Sequence, residues 1–165
     1  MGWILFDEAD HRAPVPYFRL PSIQGRPVAL DDYRGRDPLV LFFAHDPGCA
    51  SCRAALESFA SRLGDYNRLG AVVLAIFPDA VESLKADPTL AGLPFPVLSD
   101  ADGAARDRLA SLVDASLVSD EDHIVYVLDE YGAPYAAFTG SKLPGSGFQN
   151  EVLKWLEYIE ARCPE

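Results

Sequence analysis

Two stretches of the chain, Leu39 to Phe43 and Ala71 to Phe77, are apolar at every position. Unbroken runs of this length fit strands covered on both faces, as at the centre of a parallel sheet. Between them Cys52, Leu56, Phe59 and Leu63 recur at steps of four, three and four, which marks one face of an α-helix. Gly64 and Gly70 bracket the expected helix end, and Pro78 closes the second run. Strand, helix and strand in this order predict a βαβ unit.

Upstream, Tyr17 to Pro21 and Pro27 to Leu30 read as short extended segments joined by a turn over Ser22 to Arg26, a small hairpin in which Gly25 supplies permissive dihedrals. Asp31 to Asp37 is a polar loop. Downstream, Ala80 to Ala86 reads as a short helix ended by Asp87-Pro88, and Phe95 to Leu98 as a short strand whose prolines disfavour a central place. Ser99-Asp100 signals entry to a helix over Gly103 to Val113. Ile124 to Leu128 and Pro134 to Phe138 flank Asp129 to Gly132 and predict an antiparallel hairpin. The last helix, roughly Ser146 to Cys163, carries Val152, Leu156, Ile159 and Cys163 on one stripe. Together these elements predict an α/β fold, a central mixed β-sheet flanked by helices with an N-terminal β-hairpin extension. No repeat or linker divides the chain, so one domain over residues 1–165 is expected, with an irregular acidic leader at residues 1–12.

Composition narrows the possible functions. The 165 residues are 49% hydrophobic, which fits one core, and 25 acidic against 14 basic residues leave a net charge of -11. Such a surface has no electrostatic driver toward nucleic acid or anionic membranes. Met1 to Glu8 lacks a basic flank and turns acidic after a few apolar residues, unlike a signal peptide or a spanning segment, so a cytoplasmic location is expected. Of the three cysteines, Cys49 and Cys52 form a C-x-x-C, a pattern that in such a chain points to redox or metal chemistry rather than a secreted disulfide framework.

Cys49 falls in the first turn of the predicted helix, where backbone N–H groups lack partners, and Arg53 follows four positions on. A helix N-terminus, a C-x-x-C and a nearby cation lower a thiol pKa from about 8.5 toward roughly 3.5–7.5. Cys49 is therefore assigned as the attacking thiolate and Cys52, on the buried stripe, as the resolving thiol. The opposite polarity, with Cys52 attacking, stands as the alternative. Asp46 would repel a Cys49 thiolate if it pointed inward, and His45 is either a proton partner or an exposed loop residue. An inert pair on a silent scaffold is the bland rival. Zinc requires about four ligands, and His11, His45, His123 and Cys163 supply no second C-x-x-C or spaced His pair, so neither metal nor cofactor is expected. Cys163 is a candidate distant resolver, but it continues an apolar stripe, which favours packing. His11, in the leader, is expected to take no part.

Several motifs in fixed order go further: Ala13-Pro14 with Phe18 to Pro21, Gly25 with Val28 to Gly35, the strand leading to C-x-x-C-R, Phe95 to Gly103, and Val127 to Asp129 with Gly132. On these the chain resembles the alkyl hydroperoxide reductase / thiol-specific antioxidant family, the redoxin and peroxiredoxin-like branch of the thioredoxin superfamily, from about Ala13 to near the C-terminus. Asp46-Pro47-Gly48-Cys49 is similar to the T-P-G-C of one peroxiredoxin branch with the Thr replaced, and neither cysteine fits the full P-x-x-x-T/S-x-x-C register. The family's arginine position falls about at His123, which would line the pocket, and the cis-proline place of thioredoxin-type reductases falls about at Ile124. The resemblance implies a thioredoxin-like fold and a thiol peroxidase that reduces hydroperoxides through a Cys49/Cys52 dithiol–disulfide cycle, regenerated by an external thiol reductant such as thioredoxin. It also implies a homodimer as a possible assembly. A protein-disulfide oxidoreductase using the same pair is the second reading, and a non-catalytic binding module the third.

Overall fold

The computed structural model describes residues 2–6, 14–113, 122–140 and 147–161. In chain order its elements are β1 (Gly2–Leu5), β2 (Arg19–Leu20), β3 (Val28–Ala29), a 3-10 turn (Leu30–Asp32), β4 (Leu39–Phe43), α1 (Ala50–Ser61), α2 (Leu63–Arg68) and β5 (Val72–Phe77). They continue with α3 (Val81–Lys85), α4 (Pro88–Ala91), β6 (Val97–Ser99), α5 (Ala104–Ala110), β7 (His123–Leu128), β8 (Pro134–Gly140) and α6 (Gly147–Ala161).

Six strands form one mixed sheet in the order β1-β8-β7-β4-β5-β6, parallel where β4, β5 and β6 meet and antiparallel from β4 through β7 and β8 to β1. Every residue of β4 is buried, as its unbroken apolar run predicts. Successive side chains leave a strand on opposite faces, and this divides the interior in two. Val40 and Phe42 join a core with Leu56 and Phe59 of α1 and Val152 and Leu156 of α6. Leu39, Leu41 and Phe43 join a second core with Leu109 of α5, Val15 and Phe18. The same parity in β7 assigns Val125 and Val127 to the first core and Ile124 and Tyr126 to the second. His123 shares the parity of Val125, and so stands on the face that α1 covers.

The predicted mixed sheet, flanking helices and N-terminal hairpin are present, and the departures are local. The expected leader at residues 1–12 is replaced at Gly2–Leu5 by an edge strand, in register with β8 from Gly2 opposite Thr139 to Leu5 opposite Ala136. Its acidic continuation from Asp7 onward, with His11, lies outside the described residues, as does Cys163. The helix after the cysteines ends at Ser61, and Arg62 takes a non-helical conformation (φ -105, ψ 12) before α2 begins. Gly64 therefore lies inside a helix, and the helical stop is Gly70, whose φ of 71 favours glycine. Asp87 opens a new helical turn as well as ending the old one, because its carboxylate caps the Thr89 N–H and Pro88 occupies the first turn.

The hairpin β2–β3 guards the other edge of the sheet. Ser99 donates its N–H to the Pro21 carbonyl at 2.8 Å and Ile23 to that of Val97 at 3.0 Å, so backbone groups of β6 are paired beyond the sheet. The helix-entry signal at Ser99-Asp100 acts through Asp100, which is 2% exposed and accepts from the N–H groups of Ala105 (3.1 Å) and Arg106 (2.9 Å) at the start of α5. Asp100→Ala removes both acceptors and is expected to destabilise the fold by about 1–2 kcal/mol, measured as a lower denaturant midpoint with an unchanged slope.

Candidate active site

The turn between β4 and α1 is built by Asp46. Its Oδ1 accepts from the Gly48 N–H at 2.8 Å and its carbonyl from the Cys49 N–H at 3.1 Å. This side-chain-to-backbone turn is characteristic of Asp and keeps its carboxylate occupied locally. Cys49 follows as the N-cap of α1, with extended dihedrals and its Sγ accepting from the Cys52 N–H at 3.4 Å. Its sulfur also lies 3.0 Å from the Ser51 hydroxyl.

The two cysteines occupy different environments. Burial pushes the Cys49 thiol up, but hydrogen bonds from the Ser51 hydroxyl, the Cys52 and Ser51 backbone N–H groups and the Cys52 thiol outweigh it, so its pKa lies below the ordinary value. Cys52 is fully buried, and desolvation pushes its thiol up to about 11, despite the backbone N–H groups of Asp46 and His45 turned toward the sulfur. Half-exposed Cys49 is thus the readily ionised sulfur and Cys52 the retained thiol.

Two histidines complete the cluster. His123 opens β7, is fully buried, and brings Nε2 to 2.9 Å from Cys52 Sγ; His45 Nδ1 lies 3.6 Å from the same sulfur. The imidazole centroids are 5.2 Å apart, and Phe42 flanks His123 at 5.7 Å. Burial chiefly, and then His45, lower the His123 pKa below its ordinary value, against opposing influence from the Gly140 backbone and Asp122. A raised thiol beside a lowered imidazole describes a neutral pair, with the Cys52 S–H donating to Nε2.

The structure thus brings Cys49, Cys52, His45 and His123 together and leaves Asp46 as the turn-former. Arg53 goes elsewhere: its guanidinium donates to Asp87 at 3.1 Å and to Thr89 at 3.0 Å. The cation expected to favour the Cys49 thiolate is held by a carboxylate on the link between α3 and α4, and the Ser51 hydroxyl and helix N–H groups supply the stabilisation instead. Ser51 was legible only as the polar member between the cysteines. Arg106, which donates to the Asp122 carbonyl at 2.9 Å, also bears on His123, lowering its pKa.

The unequal thiols predict selective modification. Limiting iodoacetamide near neutral pH should alkylate Cys49 in preference to Cys52, with Cys52 following only as the pH approaches about 11. Peptide mass mapping across a pH series reads this directly, and equal labelling at neutral pH would contradict it.

Comparisons with known proteins agree with this fold. A protein of Mycobacterium tuberculosis assigned as a peroxiredoxin is 42% identical over 90 residues, an alignment covering 53% of this chain and 55% of that one, so the chain spans little more than half the length of this relative in the match. Chloroplastic peroxiredoxin Q of Sedum lineare is 29% identical over 160 residues, covering 94% of this chain and 82% of the relative. The crystal structure of peroxidoxin BcpB from Mycobacterium tuberculosis superposes with a TM-score of 0.74 at 19% identity, covering 89% of this chain and 96% of that one, which bears out the thioredoxin-like fold. The AhpC/TSA family is matched over residues 12–133, a span that contains both cysteines and both site histidines, and the chain belongs to that family.

Proposed function

We propose that the chain, acting as one unit over residues 1–165, is a thiol peroxidase that reduces hydroperoxides through Cys49 and Cys52. The observation that carries this reading is the pairing of a half-exposed, readily ionised Cys49 at a helix N-terminus with a buried Cys52 thiol held against His123. The Cys49 thiolate attacks the terminal peroxide oxygen; the O–O bond breaks, Cys49 becomes a sulfenic acid, and the departing alkoxide takes a proton to leave as alcohol. Cys52 then gives its proton to His123 Nε2 and attacks the Cys49 sulfur. The S–O bond breaks, hydroxide leaves as water by taking a proton, and the Cys49–Cys52 disulfide remains. An external dithiol such as thioredoxin returns both sulfurs to the reduced state.

Family membership supports the peroxide substrate, since relatives at 42% and 29% identity carry the peroxiredoxin name. The absence of a helix long and apolar enough to cross a membrane among the described residues is consistent with a cytoplasmic setting, where reduced thiols are maintained. A homodimer is a further element of the proposal, drawn from the family. The test is consumption of hydrogen peroxide and an alkyl hydroperoxide with dithiothreitol or thioredoxin as donor, beside reduction of insulin disulfides. Faster insulin reduction would replace this reading with a protein-disulfide oxidoreductase, and background rates in both assays would leave a binding module.

A further inference from the structure

The same cluster has a second chemical capacity that the peroxide cycle does not require. Sγ of Cys49, Sγ of Cys52 and one ring nitrogen each of His45 and His123 all lie within 4.8 Å of one another. A tetrahedral zinc ion with Zn–S of about 2.3 Å and Zn–N of about 2.0–2.1 Å separates its donors by about 3.3–3.8 Å. The shortest contact here is 2.9 Å, from His123 Nε2 to Cys52 Sγ. Adjustments of about 1.5 Å or less would bring the four donors to the edges of that tetrahedron.

Spacing along the chain hides this set. His45 and Cys49 come from one turn, but His123 arrives from the far strand of the β4–β7 pair, where no sequence motif links it to the cysteines. Two of the donors are fully buried, on Cys52 and His123, so the site is walled rather than a chance meeting of surface groups. His123 adds an independent sign. Its Nδ1 is buried and makes no well-formed hydrogen bond, its nearest polar influence being the Gly140 backbone across the ladder. With Nδ1 turned to the Gly140 backbone, Nε2 is the nitrogen presented to the thiols, which suits the buried ring to act as a ligand.

We propose that the reduced chain binds one zinc ion through Cys49, Cys52, His45 and His123. Two thiolates and two imidazoles form a borderline-soft N2S2 set that suits tetrahedral zinc. Four protein ligands close the coordination sphere, so the metal leaves no open position for catalysis. Both sulfurs are then occupied, and zinc binding and reaction with peroxide exclude each other; this last consequence rests on the peroxide reading above.

The test uses the full chain, reduced with a phosphine and freed of metal by chelation. Titration with zinc against a chromophoric chelator should give one equivalent bound, and cobalt(II) should give the intense visible absorption of a tetrahedral site with thiolate charge transfer in the near ultraviolet. The disulfide form should bind neither ion. His45→Gln and His123→Gln retain the dithiol, and each should weaken zinc binding by more than the roughly 10–100-fold typical of losing an outer-shell partner. No bound zinc, or a weak octahedral-type cobalt spectrum in the wild-type chain, overturns the proposal. So does unchanged affinity in both histidine variants, which would reduce the site to a bare dithiol. The wild-type cobalt spectrum decides the case even if the buried His123 variant fails to fold. Peroxide consumption measured in excess chelator reports on the catalytic reading separately, so either idea can fail alone.

Discussion

Cys49→Ser is expected to lower peroxide consumption by at least about a thousandfold, because among the described residues it removes the one sulfur whose pKa is lowered. Cys52 cannot take over: desolvation raises its thiol to about 11, and it has no exposure to solvent. Cys52→Ser should behave differently. It leaves the attacking thiolate in place, so one equivalent of peroxide still oxidises Cys49, but the sulfenic acid then persists because the neighbouring thiol that closes the disulfide is gone. Trapping with dimedone followed by mass mapping separates the two variants. A sulfenate found on Cys52 of the wild-type chain would reverse the assigned polarity.

The second large effect is expected at His123. His123→Gln retains a hydrogen-bonding side chain of similar reach but no base, and it should slow disulfide closure by about 10²–10⁴-fold while sparing the first oxidation step. Its pH dependence carries the sign. Burial lowers the imidazole pKa, so the neutral, proton-accepting form is already dominant below the usual histidine range. Wild-type closure should therefore rise with pH through that lowered value and level off near neutrality. In the variant, closure depends on free ionisation of Cys52 and should climb steadily toward about pH 11. Rapid mixing with peroxide, quenched by an alkylating agent, measures both steps. Equal closure rates and parallel pH profiles in the two proteins would remove His123 from the reaction.

The β4, β5 and α1 elements were legible because burial on both strand faces and one helix face leaves period-free and four-three patterns that few other folds produce. What escaped the pattern was set by tertiary contact. Gly2–Leu5 reads as a short apolar start to an acidic segment, and only β8 beside it makes it a strand. Arg53 reads as a cation near a thiol, and only the turn at Asp87 takes it away. His45 and His123 were both visible as candidates, but nothing local states that their rings approach within 5.2 Å. The alternation of β7 contains that information once the buried face of Val125 is known, because His123 must share it.

The docking of β1 also decides what light emission from this protein reports. The chain has two tryptophans, and both sit in one aromatic group at the β1 edge. Trp3 stacks on Phe148 at 5.6 Å, meets Phe138 edge-on at 5.5 Å and donates its indole N–H to Glu151 at 2.8 Å, while Trp155 lies 6.4 Å away. Strands β8 and β7 intervene between this edge and β4, whose turn carries Cys49. Intrinsic fluorescence therefore follows the seating of β1 and α6 rather than the thiols themselves. An emission change on oxidation would mean that closing the disulfide loosens a remote edge of the sheet, whereas silent emission would confine the rearrangement to the first turn of α1.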